Sequence, residues 1–294
     1  MAGPPDGGRS SGCGRAQTPS VGGPRPAAED LPRAATHAFT SFDGTVIRYH
    51  VYEAEPAGTE PAGPPVVLHH GFVADTFTNW SAPGIVGALT ARGHRVVGID
   101  ARGHGRSGKP HDSARYGEPA MARDLSALLD ELGAEHVRLA GYSMGAVVSL
   151  LAAAADDRIT RLVAGGVGAG IVEMGGLDTR AVPPEGIVAA LTAEDPSAVG
   201  PEAAGFRALA DAVGADRAAL AAHAAAVHQG TMPLADVRVP VLVLAGDEDP
   251  LAVRPSVLVD ALPDARLLTV PGDHVAAVGD PGFAAAIVDF FSEN

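Results

Sequence analysis

From residue 39 onward the chain alternates short apolar runs with longer segments whose apolar positions recur every three or four residues. Residues 39–42 and 46–52, joined by Asp43-Gly44, predict a β-hairpin. Six further runs, 66–68, 96–99, 137–140, 159–163, 239–245 and 265–270, are rich in Val, Ile and Leu and have strand length. Helices are predicted over 82–91, 119–132, 144–155, 254–262 and 281–291. In 119–132, Met121, Leu125, Leu128, Leu129 and Leu132 fall on one stripe, and Gly133 stops the helix. Strands that are apolar at nearly every position are covered on both faces. The alternation therefore predicts an α/β fold with a mostly parallel central sheet and helices on both faces. In such sheets the loops at the carboxyl ends of the strands carry function.

The pattern changes after the sixth strand. Residues 165–232 are rich in Gly and Ala, and 165–177 holds six glycines, which reads as a hinge. Residues 202–213 place Phe206, Leu209, Ala210 and Val213 at i, i+3, i+4 and i+7. Residues 216–228 continue with Leu220, Ala224 and Val227. Both stretches predict helices packed over the sheet, with His223 and His228 at the surface. At the other end, residues 1–36 hold seven glycines and six prolines and none of the 13 aromatics. Such a segment cannot bury enough apolar area to offset its ordering entropy and is expected to be a disordered tail. The expected organisation is thus a tail (1–36), a core (37–164 and 233–294) and an inserted helical segment (165–232).

Composition narrows the function classes. With 21 Lys and Arg against 35 Asp and Glu, the formal charge is −14, which argues against nucleic-acid and anionic-membrane binding. No run of about 18 apolar residues is present to span a membrane, and residues 1–36 lack a signal-peptide core. A cytoplasmic address is expected. The single cysteine, Cys13, excludes an intrachain disulfide and a cysteine-built zinc site, and it reads as an incidental thiol. Nothing in the composition sets the oligomeric state.

Gly141-Tyr142-Ser143-Met144-Gly145 carries the strongest chemical signal. It matches G-x-S-x-G between a predicted strand and a predicted helix, the context of a nucleophile elbow. A serine nucleophile needs a base, and the base needs an anion to hold its tautomer. Asp247, Glu248 and Asp249 follow the strand at 239–245, and Asp273-His274 follows the strand at 265–270. Both groups lie at strand carboxyl ends, and the order Ser, Asp, His is the one this motif requires. The pair His69-His70 does not suggest zinc, because adjacent strand residues point to opposite faces. No dinucleotide or P-loop glycine pattern occurs in the right context, so no cofactor is implied.

On these residues the chain resembles the α/β-hydrolase fold family, in its serine-hydrolase, esterase-like branch, over roughly residues 39–291. The resemblance implies a helical cap at 165–232, after the sixth strand. It implies Ser143 as nucleophile, His274 as base and Asp249 as the acid, with Asp247 the second choice and Asp273 shaping its turn. It also implies an oxyanion hole built from the backbone N–H groups of Met144 and, through His70-Gly71-Phe72, of Phe72. Asp100-Ala101-Arg102-Gly103-His104-Gly105-Arg106-Ser107 resembles the family's D-x-R-G-x-G-x-S loop, so Arg102 and His104 are expected to shape that loop. Haloalkane dehalogenases and epoxide hydrolases of this fold carry Asp at the elbow, from which Ser143 departs. The lipase H-G-G-G loop is absent, since Phe72 follows His70-Gly71. The expected activity is cleavage of a small-molecule carboxylic ester without a cofactor or metal. A thioesterase, lactonase, C–C bond hydrolase or perhydrolase would use the same residues. A receptor or interaction protein on this scaffold is the non-enzymatic alternative.

Overall fold

In the computed structural model, residues 32–56, 58, 60–195 and 200–293 are described. The expected tail lies almost entirely outside them. Its last five residues, 32–36, do not, and two of these enter the first strand, β1, which spans Ala35–Thr40 and pairs Ala35 with Val51 and Thr36 with His50. The tail boundary therefore moves back to before Ala35.

The remaining strands are β2 (Val46–Tyr52), β3 (Val66–His69), β4 (Val96–Asp100), β5 (Val137–Tyr142), β6 (Ile159–Gly165), β7 (Val241–Gly246) and β8 (Ala265–Val270). They form one eight-stranded sheet in the order β1-β2-β4-β3-β5-β6-β7-β8. β1 and β2 run antiparallel, and β3 to β8 are parallel. The helices are α1 (Ile85–Thr90), α2 (Glu118–Glu131), α3 (Met144–Ala153), α4 (Gly170–Glu173), α5 (Pro184–Thr192), α6 (Pro201–Ala212), α7 (Arg217–Ala224), α8 (Pro255–Ala261) and α9 (Pro281–Ser292). None is long and apolar enough to cross a membrane.

Alternate residues of each strand serve opposite faces, which explains the unbroken apolar runs. Val67, Val97, Leu139 and Val243 pack with Met121, Leu125, Val147 and Leu258 from α2, α3 and α8. Val66, Leu68, Leu242 and Leu244 pack on the other face with Ile85, Leu89, Phe283, Ile287 and Phe291 from α1 and α9. This is the α/β-hydrolase fold that the sequence resembled.

The segment 165–232 differs from its expected form in three ways. First, α6 buries Ala203, Arg207 and Ala210, with Phe206 half-buried, while Leu209 and Val213 are exposed. The buried stripe keeps Phe206 and Ala210 of the predicted one but lies three residues earlier, with Ala203 and Arg207 in place of Leu209 and Val213. Arg207 faces inward on this stripe, and its Nη1 donates to the carbonyls of Ala190 (2.9 Å) and Ala193 (2.7 Å) where α5 ends. A cation at a helix carboxyl end satisfies free carbonyls and opposes the dipole. Second, α7 stops at Ala224, and His223 is buried. Third, the glycines of 165–177 form a tight seam, not a hinge. At Gly175, with φ +76°, a Cβ would run into the Gly230 carbonyl, so two backbones meet where only glycine fits.

Candidate active site

Ser143 alone makes the reversal from β5 into α3, with φ 54° and ψ −115°. A backbone held there costs ~1–3 kcal/mol, which the packing around it must offset. Added to Gly141, a Cβ would strike the Gly145 carbonyl, and one on Gly145 would strike the His69 carbonyl. Both flanking glycines are therefore required by space. The Ser143 N–H donates to the Gly165 carbonyl at 2.8 Å, tying the turn to β6. Met144 opens α3, so its N–H is among the four free donors of a helix start.

The loops after β7 and β8 converge. His274 Nδ1 lies 2.8 Å from Asp249 Oδ2, and the Asp249 side chain is fully buried. Asp249 Oδ1 accepts the Leu251 N–H at 2.8 Å. Asp247 is used differently, accepting the Gly272 N–H at 2.9 Å. Asp273 accepts from the N–H groups of Val275 and Ala276 and shapes the turn that follows it. No direct hydrogen bond joins Ser143 Oγ to His274 among the described residues. Such contacts commonly tighten only with substrate in place. What links the base to the elbow is Tyr142, whose phenol donates to the His274 carbonyl at 2.6 Å and whose ring lies 5.1 Å from the imidazole. Burial, with Asp249 and Asp273 nearby, pushes that phenol well above its ordinary pKa, so it remains a donor.

The His70-Gly71-Phe72 turn stands beside the serine, since a Cβ on Gly71 would lie 3.4 Å from Ser143 Cβ. His70 Nδ1–H donates to the Gly71 carbonyl at 2.8 Å, and its Nε2 accepts the Ala101 N–H at 2.9 Å. Both nitrogens are thus committed. Burial, opposed only in part by Asp100, pushes the His70 pKa down and keeps the ring neutral. Burial lowers His69 to about 3, and His104 falls well below its ordinary value for the same reason. His69 and His104 therefore stay neutral near pH 7.

The expectation that His69 and His70 point apart is corrected. β3 ends at His69, alternation lapses there, and the two rings lie 5.7 Å apart. Even so, no metal-holding group of three side chains occurs among the described residues. Arg102 is fully buried, bonded to Asp124 through Nε (2.7 Å) and Nη2 (2.6 Å) and to Asp43 through Nη1 (2.8 Å). His104 Nδ1–H donates to the Arg102 carbonyl at 2.9 Å. Both residues build their loop. A surface cleft lined by Pro64, Pro65, Arg95 and His136 lies at the amino ends of β3 to β5, the opposite pole from Ser143.

Sequence reading missed the attachment of 165–232 to this turn. Val73 packs with Leu191, Ala210, Leu220 and Ala221, against Phe72 and Phe206. His223 of α7 meets Phe72 edge-on at 5.2 Å and faces Glu118 of α2 at 3.8 Å, both side chains being 1% exposed. Glu118 Oε2 also accepts the His228 N–H at 2.7 Å. Burial raises the Glu118 pKa, but His223 and the His228 N–H outweigh it, so the carboxyl sits below its ordinary value. A depressed carboxyl contributes stability above its unfolded pKa of 4.5, and that contribution is lost as pH falls through the folded value. Glu118→Gln should cost ~1–3 kcal/mol near neutral pH, which is roughly 2–12 °C in Tm for a domain of this size. The gap between variant and parent should narrow on acidification below about pH 4.5. A gap that is constant with pH in calorimetric melts would remove Glu118 from this role.

Comparison with known proteins agrees with this fold. Residues 64–173 match the family described as alpha/beta hydrolase fold. Epoxide hydrolase B of Mycobacterium tuberculosis is 35% identical over 113 residues, which is 38% of this chain and 30% of that protein. The chain thus matches less than a third of that curated relative's length. A hydrolase from Pseudomonas aeruginosa PA01 superposes with a TM-score of 0.70 at 27% identity, covering 91% of this chain and 100% of that one. The enol-lactonase from Burkholderia xenovorans LB400 superposes with a TM-score of 0.70 at 24% identity, over 87% of this chain and 100% of its own, a likeness of fold. With the sheet order, the strained elbow and these similarities together, the chain has the α/β-hydrolase fold, and residues 64–173 match that family's model.

Proposed function

We propose that the protein is a serine hydrolase that cleaves a carboxylic ester of a small or medium-sized substrate through an acyl-enzyme. The observation that carries this reading is the 2.8 Å pairing of His274 Nδ1 with a fully buried Asp249, on loops tied by Tyr142 to the Ser143 elbow. With Nδ1–H donated to Asp249, Nε2 is the nitrogen left to take the Ser143 proton. Ser143 Oγ then attacks the ester carbonyl, and the N–H groups of Phe72 and Met144 hold the oxyanion. His274 returns the proton to the departing alcohol. Water, deprotonated by His274, attacks the acyl-enzyme, and collapse releases the acid and restores Ser143. Asp249 keeps the imidazole in one tautomer and stabilises its charged form throughout. Every acid, base and donor in the sequence belongs to the chain itself. An epoxide-opening route through an elbow carboxylate has no counterpart here, because the elbow residue is Ser143. The charge of −14 and the single cysteine support a cytoplasmic protein acting on a soluble substrate.

Beside Phe72 the inserted segment packs the apolar side chains Leu191, Ala210, Leu220 and Ala221, with Phe206 at their edge. Such a surface favours neutral acyl groups of aliphatic character. Each CH₂ it buries contributes ~0.8 kcal/mol until the pocket is full, so kcat/KM on p-nitrophenyl esters should peak at roughly four to eight acyl carbons. A rate that climbs steadily to long chains would mean an open groove. Activity confined to coenzyme A thioesters would replace the ester by a thioester. Absence of turnover across the whole series would defeat the proposal.

A further inference from the structure

Asn79 lies in the five-residue turn Phe77–Ser81 and is 6% exposed. The turn is well anchored, since the Asp75 carboxylate accepts the Thr78 N–H at 2.7 Å and the Asp75 carbonyl accepts the Asn79 N–H at 3.0 Å. From this platform Asn79 Oδ1 accepts the Gly71 N–H at 2.8 Å. On the other side of the same residue, His70 Nδ1–H donates to the Gly71 carbonyl at 2.8 Å. Gly71 is therefore pinned at both of its backbone polar groups.

The consequence falls on Phe72. The Gly71 carbonyl and the Phe72 N–H belong to one planar peptide unit and point in opposite directions. Holding one aims the other. Gly71 has no Cβ to restrict its torsions, so without restraint it would be the softest link between β3 and that N–H. A Cβ there would stand in ordinary contact, 3.4 Å from Ser143 Cβ and 3.5 Å from Asn79 Oδ1, so Gly71 lies between the carboxamide and the serine. His70 fixes the carbonyl side of Gly71, and Asn79 fixes the amide side.

We infer that Asn79 is a positioning residue for oxyanion binding: by accepting the Gly71 N–H it holds the peptide plane before Gly71 while His70 holds the plane after it, so the Gly71 torsions between them, and with them the Phe72 N–H, keep one setting. This rests on the esterase reading above. Asn79 acts through Gly71 and is not in contact with the reacting atoms. An error in the aim of a donor weakens its bond to a charge that develops in the transition state, so the loss belongs to kcat and not to KM.

The experiment uses p-nitrophenyl butyrate, an alkyl boronic acid as tetrahedral mimic, and butyrate as a planar product competitor. Parent protein that neither hydrolyses the ester nor reacts with a fluorophosphonate at Ser143 defeats the esterase reading, and the inference with it. With an active parent, Asn79→Ala should lower kcat by about ten- to hundredfold, somewhat less than loss of a donor outright. KM should stay within about twofold, boronic acid affinity should fall in step with kcat, and butyrate affinity should not change. If Asn79→Ala does not fold, Asn79→Ser serves, since its hydroxyl is too short to reach the Gly71 N–H. Unchanged kcat and boronic acid affinity in a folded variant would overturn the inference. So would parallel losses of butyrate and boronic acid affinity, which would mark Asn79 as a general scaffold of the site.

Discussion

Ser143→Ala is expected to abolish labelling by a fluorophosphonate and to lower ester turnover by ~10⁴–10⁶. The size follows from the division of labour in the proposed mechanism. Ser143 Oγ is the atom that becomes acylated, so its removal leaves His274 and Asp249 with no alcohol to activate. What survives is binding and the oxyanion donors, which together still accelerate attack by water over the uncatalysed rate. The substitution keeps a Cβ at φ 54°, so backbone strain is the same before and after and the fold should melt at nearly the same temperature. A variant that is still labelled at one site, or turns over within tenfold of the parent, would move the nucleophile elsewhere. Mass spectrometry of the labelled peptide then identifies the true residue.

Asp249→Asn should lower turnover by ~10⁴, the cost of presenting the wrong imidazole tautomer to the serine. An asparagine fills the same space but can offer its NH₂ where the carboxylate accepted Nδ1–H, so His274 would carry its proton on Nε2 and lose its function as base. The charge that stabilises the imidazolium goes as well. Asp247→Asn is the internal control. Asp247 Oδ1 accepts the Gly272 N–H, and asparagine retains an oxygen that can do the same. Its turnover should stay within about tenfold of the parent, because a hydrogen bond between two loops contributes ~0.5–1.5 kcal/mol. The reverse ranking would transfer the acid to Asp247. Equal, small effects would remove both from the mechanism.

The neighbours Asp247 and Asp249 also illustrate how far the chain can be read before it is folded. Their placement at the end of β7 follows from the apolar run before them. Which of the two reaches His274 depends on a loop that meets residues 25 positions away, and only one carboxylate ends up sealed against the ring. The same division holds at the elbow. Strand, glycine, serine, glycine and helix lie within a dozen residues, and the steric demand on Gly141 comes from that neighbourhood, whereas the one on Gly145 comes from His69 and His70 of the adjacent strand end. Tyr142, in the middle of the same motif, gave no sign of its role, because its partner is 132 residues further on.

Along most of the molecule, local pattern was enough. Strands buried on both faces must be apolar at every position, helices covering them must carry a stripe, and turns between them need glycine or proline. These constraints act over a few residues, so elements, their order, the parallel sheet and the loops that bear Ser143, Asp249 and His274 were legible in the bare chain. The inserted segment was not legible to the same depth. Arg207 of α6 faces inward onto the carbonyls at the end of α5, and His223 is buried against Glu118 and Phe72. Asn79 found Gly71, and Gly175 met Gly230, for reasons no periodicity records. In each case the deciding partner is a buried polar group or a backbone brought close by packing. The energy of satisfying that group outweighs local preference only after the sheet has assembled.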